Sequence, residues 1–141
     1  MIRPLALVIA AASLTACSPP DVAGCWERCG EAACTSVEGV YLDVSATTID
    51  EIAADSSTCS YTYEADRKDL ELMPTGCSLD ETGLPEVVYW SDISINEDTG
   101  RLSYTQTKVF SEEAGLDDQV RNYTFQPAVC SDLPESERLA F

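Results

Sequence analysis

The stretch VVYWSDISIN-EDTG-RLSYTQTKVF, residues 87–110, decides the fold class of this chain. Two segments rich in Val, Ile, Tyr and Thr stand on either side of a short polar turn at 97–100. Strand-forming segments that flank turn-forming residues are typical of a β-hairpin. The stretch therefore predicts two antiparallel strands, over 87–96 and 101–110.

A second hairpin is predicted earlier in the chain. Segments 59–64 and 70–73 have the same strand-forming composition, and the polar turn 65–69 lies between them. With a turn of that length, Tyr61 and Tyr63 share one face of the hairpin. Leu70 and Leu72 share the other face.

The remaining strands are predicted from the same pattern, which recurs at intervals of about 8 to 12 residues. A strand begins at Gly24, another alternates through 40–44, and a last one covers 119–127. Segment 48–55 is also predicted as a strand, although Thr48-x-x-Glu51 has the spacing of a helix capping box. About eight strands in antiparallel meander order predict an all-β domain that closes into a small barrel, with a Greek-key β-sandwich as the alternative.

The cysteines predict that disulfides staple this domain. The chain has seven cysteines and no histidine, and it lacks the paired CxxC knuckles of a zinc site. If Cys17 is set aside for the reason given below, an even number remains, as in exported disulfide-bonded domains. Cys59 and Cys77 are the first predicted pair, because they lie nearly symmetrically about the turn 65–69. The last cysteine is then expected to pair with one of the N-terminal three, and the other two to pair locally; the six are Cys25, Cys29, Cys34, Cys59, Cys77 and Cys130.

The first sixteen residues have the features of an export signal. Arg3 is their only charge, and 4–12 is an unbroken small or apolar run, too short to span a bilayer. The four residues Leu14-Thr15-Ala16-Cys17 resemble the lipobox of bacterial lipoproteins. This resemblance implies that residues 1–16 are removed and that Cys17 is acylated; the alternative is a plain secretory signal followed by an ordinary cysteine.

The same resemblance implies a place in the cell. Residues 17–23 become a lipidated tether, and 24–141 become a single acidic domain. Lipoproteins of this type are typically retained at the inner membrane by an aspartate after the lipidated cysteine, whereas this chain has Ser18 there. The expected location is therefore the outer membrane, facing the periplasm.

The charge of the chain excludes one class of partner and favours another. Its 25 acidic and 8 basic residues give a formal net charge of −17. Such a polyanion repels phosphate backbones, so nucleic-acid binding is excluded, and it attracts cations and basic proteins. The alternative is that the acidity only keeps a tethered domain soluble.

Gly24-x-Trp26 at the start of the domain resembles the Gly-x-Trp motif with which lipocalins and related barrels open. The resemblance implies a barrel whose mouth holds a small ligand. It also implies that Arg121, on the last strand, packs over Trp26. The family's second motif, a Thr-Asp-Tyr turn, is not visible in this chain.

The absence of histidine removes serine–histidine, cysteine–histidine and histidine–metal sites. No constellation of nucleophile, base and orienting group is assembled from the remaining residues, so no enzymatic activity and no cofactor are expected. Paired carboxylates are the catalytic arrangement that stays open. Five acids of the predicted strands and turns are able to supply such a pair: Asp43, Asp50, Glu51, Asp92 and Glu97.

The spacing of oxygen-bearing residues around 92–98 raises calcium as a further question. Asp92, Ser94, Asn96 and Asp98 recur at every second residue, as in an EF-hand loop. The sixth and twelfth positions of such a loop lack the required glycine and glutamate, and strand alternation explains the spacing equally well. No metal site is predicted.

Together these features predict a non-catalytic envelope lipoprotein that acts by binding. A small apolar or cationic ligand in the barrel mouth and a basic protein, such as a cationic lysozyme that it inhibits, are the two expected partners; a structural protein without a discrete site is the third alternative. The acidic loop with Glu112, Glu113, Asp117 and Asp118 is the expected contact for a basic protein. The aromatic residues either line a cavity or, as is more usual, fill the core; they are Trp26, Tyr61, Tyr63, Tyr89, Trp90, Tyr104, Tyr123 and Phe125.

Overall fold

The computed structural model describes residues 19–78 and 84–135. Each strand pairs antiparallel with the next one along the chain, and the last pairs with the first, so that the sheet closes into a barrel. This confirms the predicted all-β meander and excludes the sandwich. The strands are β1 (Gly24–Cys29), β2 (Val37–Val44), β3 (Thr48–Ala53), β4 (Thr58–Asp66), β5 (Asp69–Cys77), β6 (Val87–Ile95), β7 (Leu102–Val109) and β8 (Gln119–Pro127).

The hairpin at 87–110 forms as predicted, with β6 and β7 as its strands. Its turn is held by Asn96, whose side-chain oxygen accepts hydrogen bonds from the amides of Asp98 at 2.8 Å and Thr99 at 3.0 Å. Gly100 follows with a φ of 71°, a conformation that glycine adopts without steric cost. The turn chemistry therefore supports the register that the strand pattern predicts.

The β4–β5 hairpin forms, but the predicted distribution of its side chains is wrong. The turn contains only Arg67 and Lys68, so that Asp66 lies opposite Asp69. As a result Tyr63 lies directly opposite Leu72, and both face the interior. A shift of one residue in register moves every side chain to the other face. The shorter turn thus places tyrosines and leucines on the same side.

Segment 48–55 is a strand over Thr48–Ala53, and the capping-box alternative is wrong. The tight β2–β3 turn explains this, because its hydrogen bonds join the ends of two strands. The amide of Ser45 donates to the carbonyl of Thr48 at 2.9 Å, and the Ser45 hydroxyl accepts from the Thr48 amide at 3.0 Å.

The core fills the interior of the barrel. We call the end with the β2–β3, β4–β5 and β6–β7 turns the lower end, and the opposite end the upper end. Val22, in the segment before β1, closes the lower end, where its carbonyl accepts a hydrogen bond from Trp26 Nε1 at 3.0 Å. The buried core consists of Val22, Trp26, Leu42, Val44, Ile49, Tyr61, Leu70, Leu72, Val88, Trp90, Leu102, Tyr104 and Phe125.

Three disulfides connect parts of the barrel. Cys59 pairs with Cys77 across the β4–β5 hairpin, which is the pair that the sequence favours. Cys29 and Cys34 close the β1–β2 loop. The third bond joins Cys25 of β1 to Cys130, 105 residues later, and so ties the two ends of the domain together.

The β1–β2 loop is organised by the carboxylate of Glu31. It accepts hydrogen bonds from the amide and hydroxyl groups of both Thr35 and Ser36. These bonds, first of all the one from the Thr35 hydroxyl, lower the pKa of Glu31 from 4.5 to about 2. The loop is therefore built around an ionised carboxylate.

The order of this loop is expected to depend on pH in a defined direction. Because the pKa of Glu31 is lowered by folding, its stabilisation of the loop is fully present above pH 4.5 and is lost as the pH falls through about 2. Amide hydrogen exchange of residues 31–36 measures this directly. Glu31→Gln should remove the pH dependence; a variant that keeps it would contradict the assignment.

Candidate functional site

The barrel interior is filled with aromatic side chains. The Trp90 and Tyr104 rings stack with their centroids 4.0 Å apart. The Phe125 ring stacks on Tyr104 as well, with a centroid distance of 5.7 Å. Trp90 Nε1 donates to Gln106 Oε1 at 3.0 Å, so that its polar atom is satisfied inside the core. Seven of the eight aromatic residues singled out above belong to the core or pack against it, and Tyr89 is 38% exposed on the outer surface. This is the solid packing that the sequence favours.

Arg28 is a charged residue inside the upper part of the barrel. Its guanidinium lies 4.1 Å from the centroid of the Tyr123 ring and 5.6 Å from that of Phe125. Its terminal nitrogens pair with Glu51 at 3.2 Å and Glu38 at 3.6 Å, and its side chain is only 12% exposed. We call these five residues the Arg28 cluster. The sequence contained a signal for this cluster: Trp26 and Arg28 are two residues apart, and in a strand that spacing places both side chains on one face.

The expectation that Arg121 packs over Trp26 is wrong. Trp26 lies opposite Pro127 at the lower end, whereas Arg121 lies six residues away along β8, about 20 Å at the rise of a strand. Arg121 is exposed, and its Nη1 donates to the carbonyl of its neighbour Val120 at 3.2 Å. The arginine that packs on interior rings is Arg28, one step above Trp26 on the same face of β1.

The buried tyrosines are not suited to act as bases. Burial raises the pKa of Tyr104 well above its ordinary value, and the nearby Glu51 carboxylate raises it further. Burial likewise raises the pKa of Tyr61. Both hydroxyls therefore hold their protons at neutral pH, and neither supplies a phenolate that would act as a base.

The structure brings two of the five acids considered for a catalytic pair together and places the other three elsewhere. Asp43 and Asp50 lie directly opposite each other on the outer face of β2 and β3. Glu51 belongs to the Arg28 cluster. The other two are exposed: Asp92 lies at a bulge of β6, and Glu97 lies in the β6–β7 turn.

The oxygen pattern at 92–98 serves the hairpin. Asp92 has a φ of 53° at the point where the β6–β7 register shifts, and Asn96 holds the turn. Among the residues that the structure describes, no group of three or more His, Cys, Asp or Glu side chains is arranged to hold a metal ion.

The outer surface of β4 and β5 carries an acidic groove. Glu64 and Glu71 lie directly opposite each other, and Asp66 and Asp69 form the next opposed pair towards the turn. A groove of about 410 Å³ opens beside the first pair at the lower end. We call it the β4–β5 groove; it is lined by the outward-facing Thr62, Glu64, Glu71 and Met73, by Thr47 of the β2–β3 turn, and by Tyr63, which also packs against the core.

The surroundings of this groove are apolar as well as acidic. Met73 is 46% exposed within it, and the exposed Tyr89 lies opposite Glu71 on the neighbouring strand. Both salt bridges among the described residues are formed by Arg28. Glu64 and Glu71 therefore form no salt bridge with any described residue. Carboxylates directly opposite each other in a sheet are destabilising. A cationic group in the groove would relieve that repulsion.

Sequence reasoning did not find this groove, although a signal was present. Glu64, Asp66, Asp69 and Glu71 are spaced symmetrically about the turn Arg67-Lys68. Only with a two-residue turn do these acids become opposed pairs. With the predicted five-residue turn, Glu64 would not lie opposite Glu71, so the arrangement was not predicted.

The acidic loop expected to contact a basic protein is the β7–β8 connection, at the other end of the barrel. A single turn of 3-10 helix, Glu112–Ala114, begins it, and all four of its carboxylates are exposed. The structure therefore separates this loop from the β4–β5 groove and provides two acidic surfaces.

The lipobox residues, Cys17 and Ser18 lie outside the described residues. Within 19–78 and 84–135, no helix is long and apolar enough to cross a membrane. Comparison of the chain with protein-family models, with curated proteins and with solved structures finds no match.

Proposed function

We propose that this chain is a non-catalytic lipoprotein of the bacterial envelope, anchored in the outer membrane through Cys17, that binds a basic protein in the periplasm. The lipobox Leu14-Thr15-Ala16-Cys17 and the following Ser18 support the anchor and the location. Three disulfides suit an oxidising compartment.

The β4–β5 groove is the observation that carries the binding proposal. Its opposed carboxylates, Glu64 and Glu71, present negative charge on a concave surface, and the exposed Met73 offers apolar contact to the stem of a lysine or arginine side chain. The net charge of −17 steers a basic partner towards the protein from a distance. A cationic hydrolase of the lysozyme type has the required charge, and inhibition follows if docking covers its active site.

A small ligand held deep in the barrel is the weaker alternative. The lower and middle parts of the interior are occupied by the stacked rings of Trp90, Tyr104 and Phe125. The proposal therefore places the partner on the outside of the barrel.

Binding to a basic protein is expected to depend on salt and on two glutamates. With a cationic lysozyme as the probe, affinity should fall steeply between about 0.05 and about 0.5 M NaCl, because screening removes the steering between opposite charges. Glu64→Gln with Glu71→Gln should weaken binding by about tenfold, as expected for the loss of two interfacial charges. Calorimetry measures the affinity, and cell-wall lysis measures inhibition.

The matched control is Glu112→Gln with Glu113→Gln, which removes the same charge from the β7–β8 loop. If this pair weakens binding more than the groove pair does, the loop is the docking surface. No measurable binding at low salt would rule out the basic-partner proposal altogether. The variant with Glu64→Gln and Glu71→Gln is expected to fold, since removing opposed like charges relieves repulsion.

A further inference from the structure

Lys108 and Arg121 occupy inward-facing positions at the upper end of the barrel. Lys108 lies opposite Val88 on β6, and Arg121 lies opposite Gln106 on β7. Val88 and Gln106 are both buried in the interior. Because residues directly opposite each other share a face of the sheet, Lys108 and Arg121 leave the backbone on the same inner side.

The two cations are also neighbours. Lys108 is paired with Gln119, two residues before Arg121 on β8, so that Lys108 and Arg121 are diagonal partners across the β7–β8 ladder. Diagonal partners lie about 7 to 8 Å apart between Cα atoms, within reach of long side chains. Two like charges at this separation repel each other unless an anion lies between them.

No carboxylate supplies that anion in the described part of the chain. The salt bridges there are the two of Arg28, and Lys108 and Arg121 form none, although acidic residues outnumber basic ones by 25 to 8. The acids of the connecting loop, including Glu112 and Asp118, are exposed and lie beyond the 4.0 Å of an ion pair. Arg67 and Lys68 likewise form no ion pair among the described residues, so what distinguishes Lys108 and Arg121 is their position as neighbours on the inner face. Arg121 Nη1 donates to the carbonyl of Val120, and the other donors of its guanidinium and the Lys108 ammonium are available to a ligand.

We propose that Lys108 and Arg121 together bind an oxyanion, a carboxylate or a phosphate, at the upper end of the barrel. The guanidinium offers two parallel donors to such a group, and the ammonium adds a point charge from the second strand. Val88 and Gln106, directly opposite the two cations, are buried, and Tyr104 and Phe125 fill the barrel below them. The bound group is therefore a small anion or a headgroup, and not a molecule enclosed by the core.

This site differs from the β4–β5 groove in sign and in place. It takes an anion at the upper end, whereas the groove takes a cation at the lower end. Its response to salt is also different, because the net charge of −17 repels an anion at long range and screening weakens that repulsion. Oxyanion binding is expected to survive salt that abolishes docking of a basic protein.

The test is calorimetric titration of the mature chain, held in a non-ionic detergent, with inorganic phosphate and separately with glycerophosphoglycerol, the soluble headgroup of an anionic lipid. Lys108→Gln with Arg121→Gln should weaken binding by at least about tenfold, through the loss of two charge-assisted contacts. Arg67→Gln with Lys68→Gln removes the same charge at the opposite end of the barrel and should change affinity by less than about twofold, since that site lies beyond a Debye length.

Tighter binding of inorganic phosphate identifies a free anion as the ligand, and tighter binding of the phosphodiester identifies a lipid headgroup; both support the site. The proposal is overturned if neither compound binds at millimolar concentration, or if the two double variants lower the affinity equally. Arg121→Gln alone, at an exposed position, keeps the test valid if the double variant does not fold.

Discussion

Replacing Cys25 and Cys130 with serine is expected to lower the free energy of unfolding by about 4 to 5 kcal/mol, the largest loss from removing any of the three disulfides. This bond joins residues 105 apart, so that its removal frees nearly the whole domain in the unfolded state. In the loop-entropy model, stabilisation grows with the length of chain that the bond closes. Urea unfolding of the variant and the parent protein measures the difference.

The control is Cys29→Ser with Cys34→Ser. Cys29 is as deeply buried as Cys25, but its bond spans only 5 residues, for which the same model gives about 2 kcal/mol. Equal losses from the two double variants would show that burial of the sulfur atoms, and not constraint of the unfolded chain, determines the effect.

Arg28→Ala is expected to lower the free energy of unfolding by about 2 to 3 kcal/mol. The substitution leaves the carboxylate of Glu51 partly buried without its cation and removes the contact with the Tyr123 ring. Removing one partner of a fully buried ion pair lowers the free energy of unfolding by about 3 to 5 kcal/mol. The expected loss is smaller for Arg28→Ala because the Glu51 side chain is 26% exposed.

A double variant separates the charge from the packing. Arg28→Met with Glu51→Gln removes both charges and keeps the apolar stem against Tyr123, so that its stability should lie within about 1 kcal/mol of the parent protein. Arg28 Nε supports this expectation, since it is buried without a hydrogen-bond partner among the described residues and loses nothing on replacement. A double variant as unstable as Arg28→Ala would mean that the ion pair itself stabilises the barrel.

The two proposed binding surfaces differ in how far the sequence pointed to them. The acidic character that suits a basic partner is evident from composition, but the β4–β5 groove depends on Glu64 meeting Glu71 across a turn that is shorter than predicted. The pairing of Lys108 and Arg121 depends on the β7–β8 register across a loop. Both surfaces are products of cross-strand pairing.

The sequence by itself determined that this is an all-β domain with strands near 87–96, 101–110 and 119–127, and it favoured the Cys59–Cys77 bond. These features are local: the alternation of side chains has a period of two residues, and a turn between two strands is read from adjacent residues.

The tertiary structure decided which side chains meet. It placed Arg28, and not Arg121, on the interior rings, and it turned both tyrosines and leucines of the β4–β5 hairpin inward. It also joined β1 to β8 and so brought Arg28 opposite Phe125. Register and barrel closure depend on contacts between residues distant in sequence, where a slip of one position reverses every face, and no local pattern records that choice.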